Sequence, residues 1–117
     1  GLWPGAVPGA LPISGVFELD PLLPTSIARA LNLTAPEAHA LSPRWLARPV
    51  QGALHAVVGG AESPEFLRQT HDFAAAWGGS AEQIDGANHF TVLDPLTDPD
   101  HPLTIRAADM ARRLASL

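Results

Sequence analysis

Glu62 and Glu65 in GGAESPEF, and His89 in GANHF, are the residues of this chain whose types and placement suit acid–base chemistry. Each stretch follows a run that reads as a β-strand, and ligands of open parallel sheets sit beyond the carboxyl ends of strands. A carboxylate that accepts an imidazole N–H fixes the tautomer of the ring and stabilises the imidazolium formed during catalysis. That is the acid–base half of nucleophilic hydrolysis. Gly86, Ala87 and Asn88 leave His89 uncrowded. Either acid could be the orienting group. Glu65 falls in the first turn of a predicted helix, where the helix dipole already favours a carboxylate.

The elements that must hold these residues follow from apolar spacing and from turn chemistry. GALPIS (9–14) is an apolar run bounded by glycines and predicts a buried strand, although Pro12 within it is unfavourable to a strand interior. GVFELDPLLP predicts an extended loop. TSIARALNL predicts a helix capped by Thr25, with Ile27, Ala30 and Leu31 on one face. TAPE (34–37) is a capping box that opens a short helix ending near Leu41. GALHAVVGG (52–60) is nearly continuous in apolar residues, as a parallel strand covered on both faces requires. Ser63-Pro64 then opens a helix, Phe66, Leu67, Thr70, Phe73, Ala74 and Trp77 form its stripe, and Gly78-Gly79 ends it. SAEQID (80–85) predicts a strand, Phe90 onward an amphipathic turn, and DPDHP (98–102) a tight turn. LTIRAADMARRLASL predicts the last helix, with Leu103, Ile105, Met110, Leu114 and Leu117 available for burial. Strands alternating with helices imply an α/β layer fold with a parallel sheet.

Composition narrows the classes of function. The 117 residues suffice for one domain, without internal repeats. The absence of cysteine removes disulfide frameworks and thiolate metal sites. A formal charge of −5, with seven scattered basic residues that are all arginine, offers no stripe for a nucleic-acid backbone. No apolar run approaches the roughly 20 residues that span a bilayer. GLWPGAVPGALP lacks the basic and apolar segments of a secretion signal. A soluble, mildly acidic, cytoplasmic protein is the expectation.

ISGVFELDPLLPTSIARALNLTAPEAHALSP, VGGAESPEFLRQT and GANHFTVLDPLTDPDHPLT together resemble the kynurenine formamidase (arylformamidase) branch of the α/β-hydrolase superfamily, over roughly residues 9–106. In that superfamily the nucleophile precedes the acid and the acid precedes the histidine. The resemblance implies that this chain is the C-terminal portion of an α/β-hydrolase fold, beginning at the strand after the nucleophile helix. It implies that the carboxylate before SPEF, here Glu62, is the acid, and that the histidine of NHF, here His89, is the base. Animal relatives usually carry Asp at the acid position, and Glu is one methylene longer. The implied activity is cleavage of an N-formyl aryl amide, or of an ester by an esterase-like route, without metal or organic cofactor.

The family's nucleophile lies in a Gly-x-Ser-x-Gly elbow, and its oxyanion hole in an upstream His-Gly-Gly loop. Neither occurs here: Ser14, Ser26, Ser42, Ser63, Ser80 and Ser116 all lack the two flanking glycines. The expectation is one partial domain (1–117) that supplies acid and histidine but not serine, and that is inactive alone. Phe17 and Phe90 are candidates to line a pocket for an aromatic substrate. His39, His55, His71 and His101 read as helix surface, strand face, helix surface and turn. A second expectation is structural. Strand 9–14 has lost its neighbour, so its edge should pair with the missing N-terminal part or with another copy.

Overall fold

The computed structural model describes residues 7–49 and 51–116. Three parallel strands stand in the order β1 (Gly9–Ala10), β2 (Ala53–Gly59) and β3 (Ser80–Ile84). The helices are α1 (Ser26–Ala30), α2 (Ala35–Ala40), α3 (Pro64–Ala76) and α4 (Pro102–Ala115). This is the α/β arrangement that the alternation of strands and helices implied.

β2 is central, and Ala56, Val57 and Val58 in it are fully buried. Successive strand residues face opposite sides. Val57 meets Ala87, Val92 and Leu103 in one cluster, with Leu11, Ile13 and Ile84 packed around it. α3 packs along β2 and β3 and brings Phe73 against Phe17, with ring centroids 4.1 Å apart and nearly parallel. Thr70, Phe73 and Ala74 of the predicted stripe are buried. Ser63 caps α3 by accepting from the Phe66 N–H, and Pro64 occupies its first turn. Gly78 follows at φ +68, as a left-handed helix end requires.

Three expectations need correction. The strand expected over 9–14 pairs regularly only at Gly9–Ala10, with a single further bridge between Ile13 and Val57. Pro12 has no N–H to give, although its carbonyl still accepts from Val57. The loop expected over 15–24 contains a 3-10 turn at Asp20–Leu22. The face expected to be buried in α1 is not the buried one: Ile27 and Leu31 are more than half exposed, while Ala28 is covered. A five-residue helix is too short to present a sustained apolar stripe, and Ala28 is its one buried residue. In α4 Leu103 is fully buried, whereas Ile105 stands exposed and Leu117 lies outside the described residues.

Gln69 ties the first loop to α3. Its Oε1 accepts from the Phe17 and Glu18 N–H groups at 2.8 and 2.9 Å, and its Nε2 donates to the Glu18 carbonyl. Half of the capping box is present: the Thr34 hydroxyl accepts from the Glu37 N–H, but the Glu37 carboxylate accepts from that hydroxyl, at 2.6 Å, rather than from the Thr34 N–H.

The buried strand histidine has a consequence for stability. His55 places Nδ1 2.7 Å from Ser80 Oγ and Nε2 3.3 Å from Glu82, and Arg106 donates to the same serine. Burial pushes the His55 imidazole below the ordinary histidine range and the charge of Arg106 adds to this, against the pull of Glu82. In the unfolded chain His55 takes up a proton below about pH 6.5 that the folded state resists. Proton uptake there favours unfolding. Stability should therefore fall as pH drops below about 6.5, by up to about 1.4 kcal/mol per pH unit from this residue alone, until the folded imidazole also titrates. Denaturant unfolding of the parent and of His55→Gln across this range checks it. Equal pH slopes in the two proteins would sink the assignment.

Candidate functional site

Glu62 lies in the loop between β2 and α3, and His89 in the loop after β3. Two backbone bonds lace these loops together: Gly60 N–H donates to the Ile84 carbonyl and Ala61 N–H to the Ala87 carbonyl, both at 2.9 Å. Gly86 turns the chain at φ +71, a conformation that favours glycine. Asn88 then closes the histidine loop. Its Oδ1 accepts from the Phe90 and Thr91 N–H groups, and its own N–H donates to Thr91 Oγ1 at 2.9 Å. This side-chain turn holds His89 outward, at the entry to the 3-10 turn Thr91–Thr97.

His89 Nδ1 stands 2.8 Å from Glu62 Oε1. The Glu62 side chain is 2% exposed, whereas that of His89 is 56% exposed. The pair is thus an anchored carboxylate beneath an accessible ring. With Nδ1–H directed at the carboxylate, the neutral ring carries its lone pair on Nε2. The other carboxylate oxygen, Oε2, accepts from Ser14 Oγ at 2.5 Å and from the Gly59 N–H at 2.7 Å. Burial alone raises the Glu62 carboxyl, but the Ser14, Gly59 and His89 hydrogen bonds together hold it below the usual carboxylate range. Those charge-assisted bonds keep it ionised.

An open cleft of about 290 Å³ lies over the pair, lined by Ala61, Ser63, Phe66, Asn88 and Phe90 as well as by Glu62 and His89. Phe66 tilts against the imidazole at 5.4 Å and Phe90 meets its edge at 6.0 Å.

Of the residues singled out in the sequence, the structure brings Glu62, His89 and Phe90 together. It does not bring Phe17, which is 6% exposed and stacked in the core on Phe73. One face of its ring is covered by that of Phe73, and it does not line the cleft over Glu62 and His89. Glu65 is engaged elsewhere, by Arg68 at 2.6 Å and by Gln69 at 2.9 Å. His39 stacks on Trp45, His71 meets Gln83, and His101 caps α4 by accepting from the Leu103 N–H. Among the described residues no group of three or more His, Asp or Glu side chains is placed to hold a metal ion. Nor is any helix there long and apolar enough to cross a membrane.

Two contributors were missed in the sequence, Ser14 and Gly59. As a sequence feature Ser14 suggests only a candidate nucleophile, and its bond to Glu62 joins positions too far apart for any local pattern to register. Gly59 sits in a Gly-Gly pair that reads simply as a strand end.

The parallel sheet with its acid and histidine loops beyond the strand ends has the arrangement of a hydrolase-like α/β protein. A solved structure from Silicibacter sp. TM1040, named as a proposed thioesterase, superposes with a TM-score of 0.78 at 35% identity, covering 85% of this chain and 38% of that one. Two sequence relatives are named kynurenine formamidases. That of Danio rerio is 30% identical over 108 residues, 84% of this chain and 37% of that protein. That of Salmo salar is 28% identical over 109 residues, with the same shares of each chain. The chain is therefore kynurenine formamidase-like, and it spans about 37% of the length of the curated relatives that it matches. No protein-family profile matches it.

Proposed function

We propose that this chain provides the acid and the base of a serine hydrolase that cleaves an N-formyl aryl amide or a related ester. The observation that carries the reading is the buried Glu62 carboxylate, 2.8 Å from the Nδ1 of an exposed His89. In the proposed reaction a serine hydroxyl from polypeptide outside these 117 residues attacks the substrate carbonyl. His89 Nε2 takes its proton and returns it to the leaving amine or alcohol, and water then releases the acyl group by the same route. Glu62 holds the ring and stabilises the imidazolium. Phe90, exposed beside the ring, is the residue proposed to meet an aromatic substrate.

The test begins with the coding region upstream, which should contain an in-frame Gly-x-Ser-x-Gly segment. The longer polypeptide should then hydrolyse a nitrophenyl ester, and the 117 residues alone should stay near background. Robust turnover by the short chain that survives His89→Ala would refute these roles.

A second property supports the same view of the chain as one part of a larger fold. β1 pairs with β2 on one side only among the described residues, and Val7 beside it is 62% exposed. An unpaired edge presents backbone donors and acceptors to another strand. The proposed occupant is the upstream polypeptide, since the relatives are longer than this chain by well over half their length. Without that polypeptide the isolated chain should self-associate. A strictly monomeric mass by light scattering at high concentration would count against this.

A further inference from the structure

Ser14 touches the acid from the side opposite His89. It is buried, and its Oγ donates to Glu62 Oε2 at 2.5 Å, while the Gly59 N–H donates to the same oxygen at 2.7 Å. That oxygen is saturated by two donors, one in β2 and one just beyond the sheet. Ser14 is itself pinned where the chain leaves the sheet, its N–H donating to the Val57 carbonyl at 2.8 Å. It holds φ +50, a conformation that L side chains seldom adopt and that persists only where the surroundings enforce it. The next residue, Gly15, has no room for a side chain, because an added Cβ would meet the Phe17 ring. The whole turn is therefore built to deliver one hydroxyl to one carboxylate oxygen.

We propose that Ser14 is a positioning residue for the acid–histidine pair. With Oε2 held by Ser14 and Gly59, rotation of the carboxylate is blocked and Oε1 alone is presented to His89. The hydroxyl also offsets the burial of the carboxylate, so Glu62 stays an acceptor rather than becoming a donor that would repel the Nδ1–H. Ser14 gives its proton to Glu62 and has no hydrogen bond to His89. It stands on the wrong side of the acid to be the nucleophile. This inference rests on the reading of Glu62 and His89 given above.

The test is an NMR titration of the 117-residue chain, following the Glu62 carboxyl carbon and the His89 ring nitrogens in the parent, Ser14→Ala, Ser14→Gly and Glu62→Gln. Glycine accepts φ +50 without strain, so Ser14→Gly reports loss of the hydroxyl even if Ser14→Ala fails to fold. In both Ser14 variants the midpoint of Glu62 should move upward, and the His89 Nδ1–H should exchange faster with water. An unmoved Glu62 midpoint in Ser14→Gly would overturn the proposal. So would a moved Glu62 midpoint with an unchanged His89, because the hydroxyl would then serve the carboxylate without positioning the pair. Failure of the underlying reading looks different: Glu62→Gln would leave His89 unchanged while the Ser14 variants still shifted Glu62.

Discussion

Replacing His89 by alanine in the longer polypeptide, where a serine elbow accompanies this chain, should lower kcat for a nitrophenyl ester by about 10⁶-fold. Glu62→Ala should cost about 10⁴-fold. The difference follows from the geometry. In the proposed mechanism His89 Nε2 takes and returns the proton, and no other basic side chain contacts the cleft among its lining residues. Glu62 acts one bond further away, through Nδ1. Without it the ring keeps its basic nitrogen but loses its fixed tautomer and the charge that stabilises the imidazolium. Glu62→Gln should be no milder than alanine. Oε2 receives two donors and Oε1 a third, so an amide NH₂ in either place would face N–H or O–H. The double variant should be no slower than His89→Ala, because residues that act as one unit do not add. Steady-state kinetics over the series decides it. A loss smaller than tenfold for His89→Ala would remove His89 from the chemistry.

Much of this arrangement was legible in the residues because it is encoded locally. β2 announces itself by continuous apolar burial, α3 by Ser63-Pro64, its stripe and Gly78, and the histidine loop by Gly86 and Asn88. The choice of Glu62 over Glu65 as the proposed acid has a related basis. The helix after it starts at Ser63-Pro64, which leaves Glu62 in the preceding loop and commits Glu65 to the helix, where Arg68 and Gln69 hold it. What stayed hidden depends on the third dimension. Nothing in the spacing of TSIARALNL says that Ala28, rather than Ile27 or Leu31, meets the rest of the fold, because a helix of one and a half turns has no sustained stripe. Phe17 has the same composition signal as Phe90, yet one is stacked in the core and the other is 85% exposed. Ser14 reaches Glu62 only because the bridge of Ile13 to Val57 places the start of the first loop beside the end of β2.

The structural counterpart of the catalytic prediction concerns Gly59, where strand, acid and histidine loop converge. A Cβ built there would fall on the Ala87 carbonyl oxygen, well inside van der Waals contact, and 3.1 Å from Glu62 Oε2. The obstructing atoms are backbone, and they cannot swing aside as a side-chain end would. That same carbonyl accepts from the Ala61 N–H, so moving it breaks one of the two bonds joining the acid loop to the histidine loop. Ala87 is also part of the core cluster with Val57, Val92 and Leu103. Gly59→Ala should therefore destabilise the chain by about 3 kcal/mol, at the upper end of what overpacking ordinarily costs. It should also separate Glu62 from His89, because the loop that yields is the one carrying the histidine. Gly60, its neighbour, meets nothing closer than 3.4 Å at the same test, so Gly60→Ala is the matched control and should lose far less. Denaturant unfolding measures the first effect and the His89 ring resonances the second. A Gly59→Ala protein as stable as Gly60→Ala, with an unaltered His89 spectrum, would show that the two loops can part without disturbing the pair.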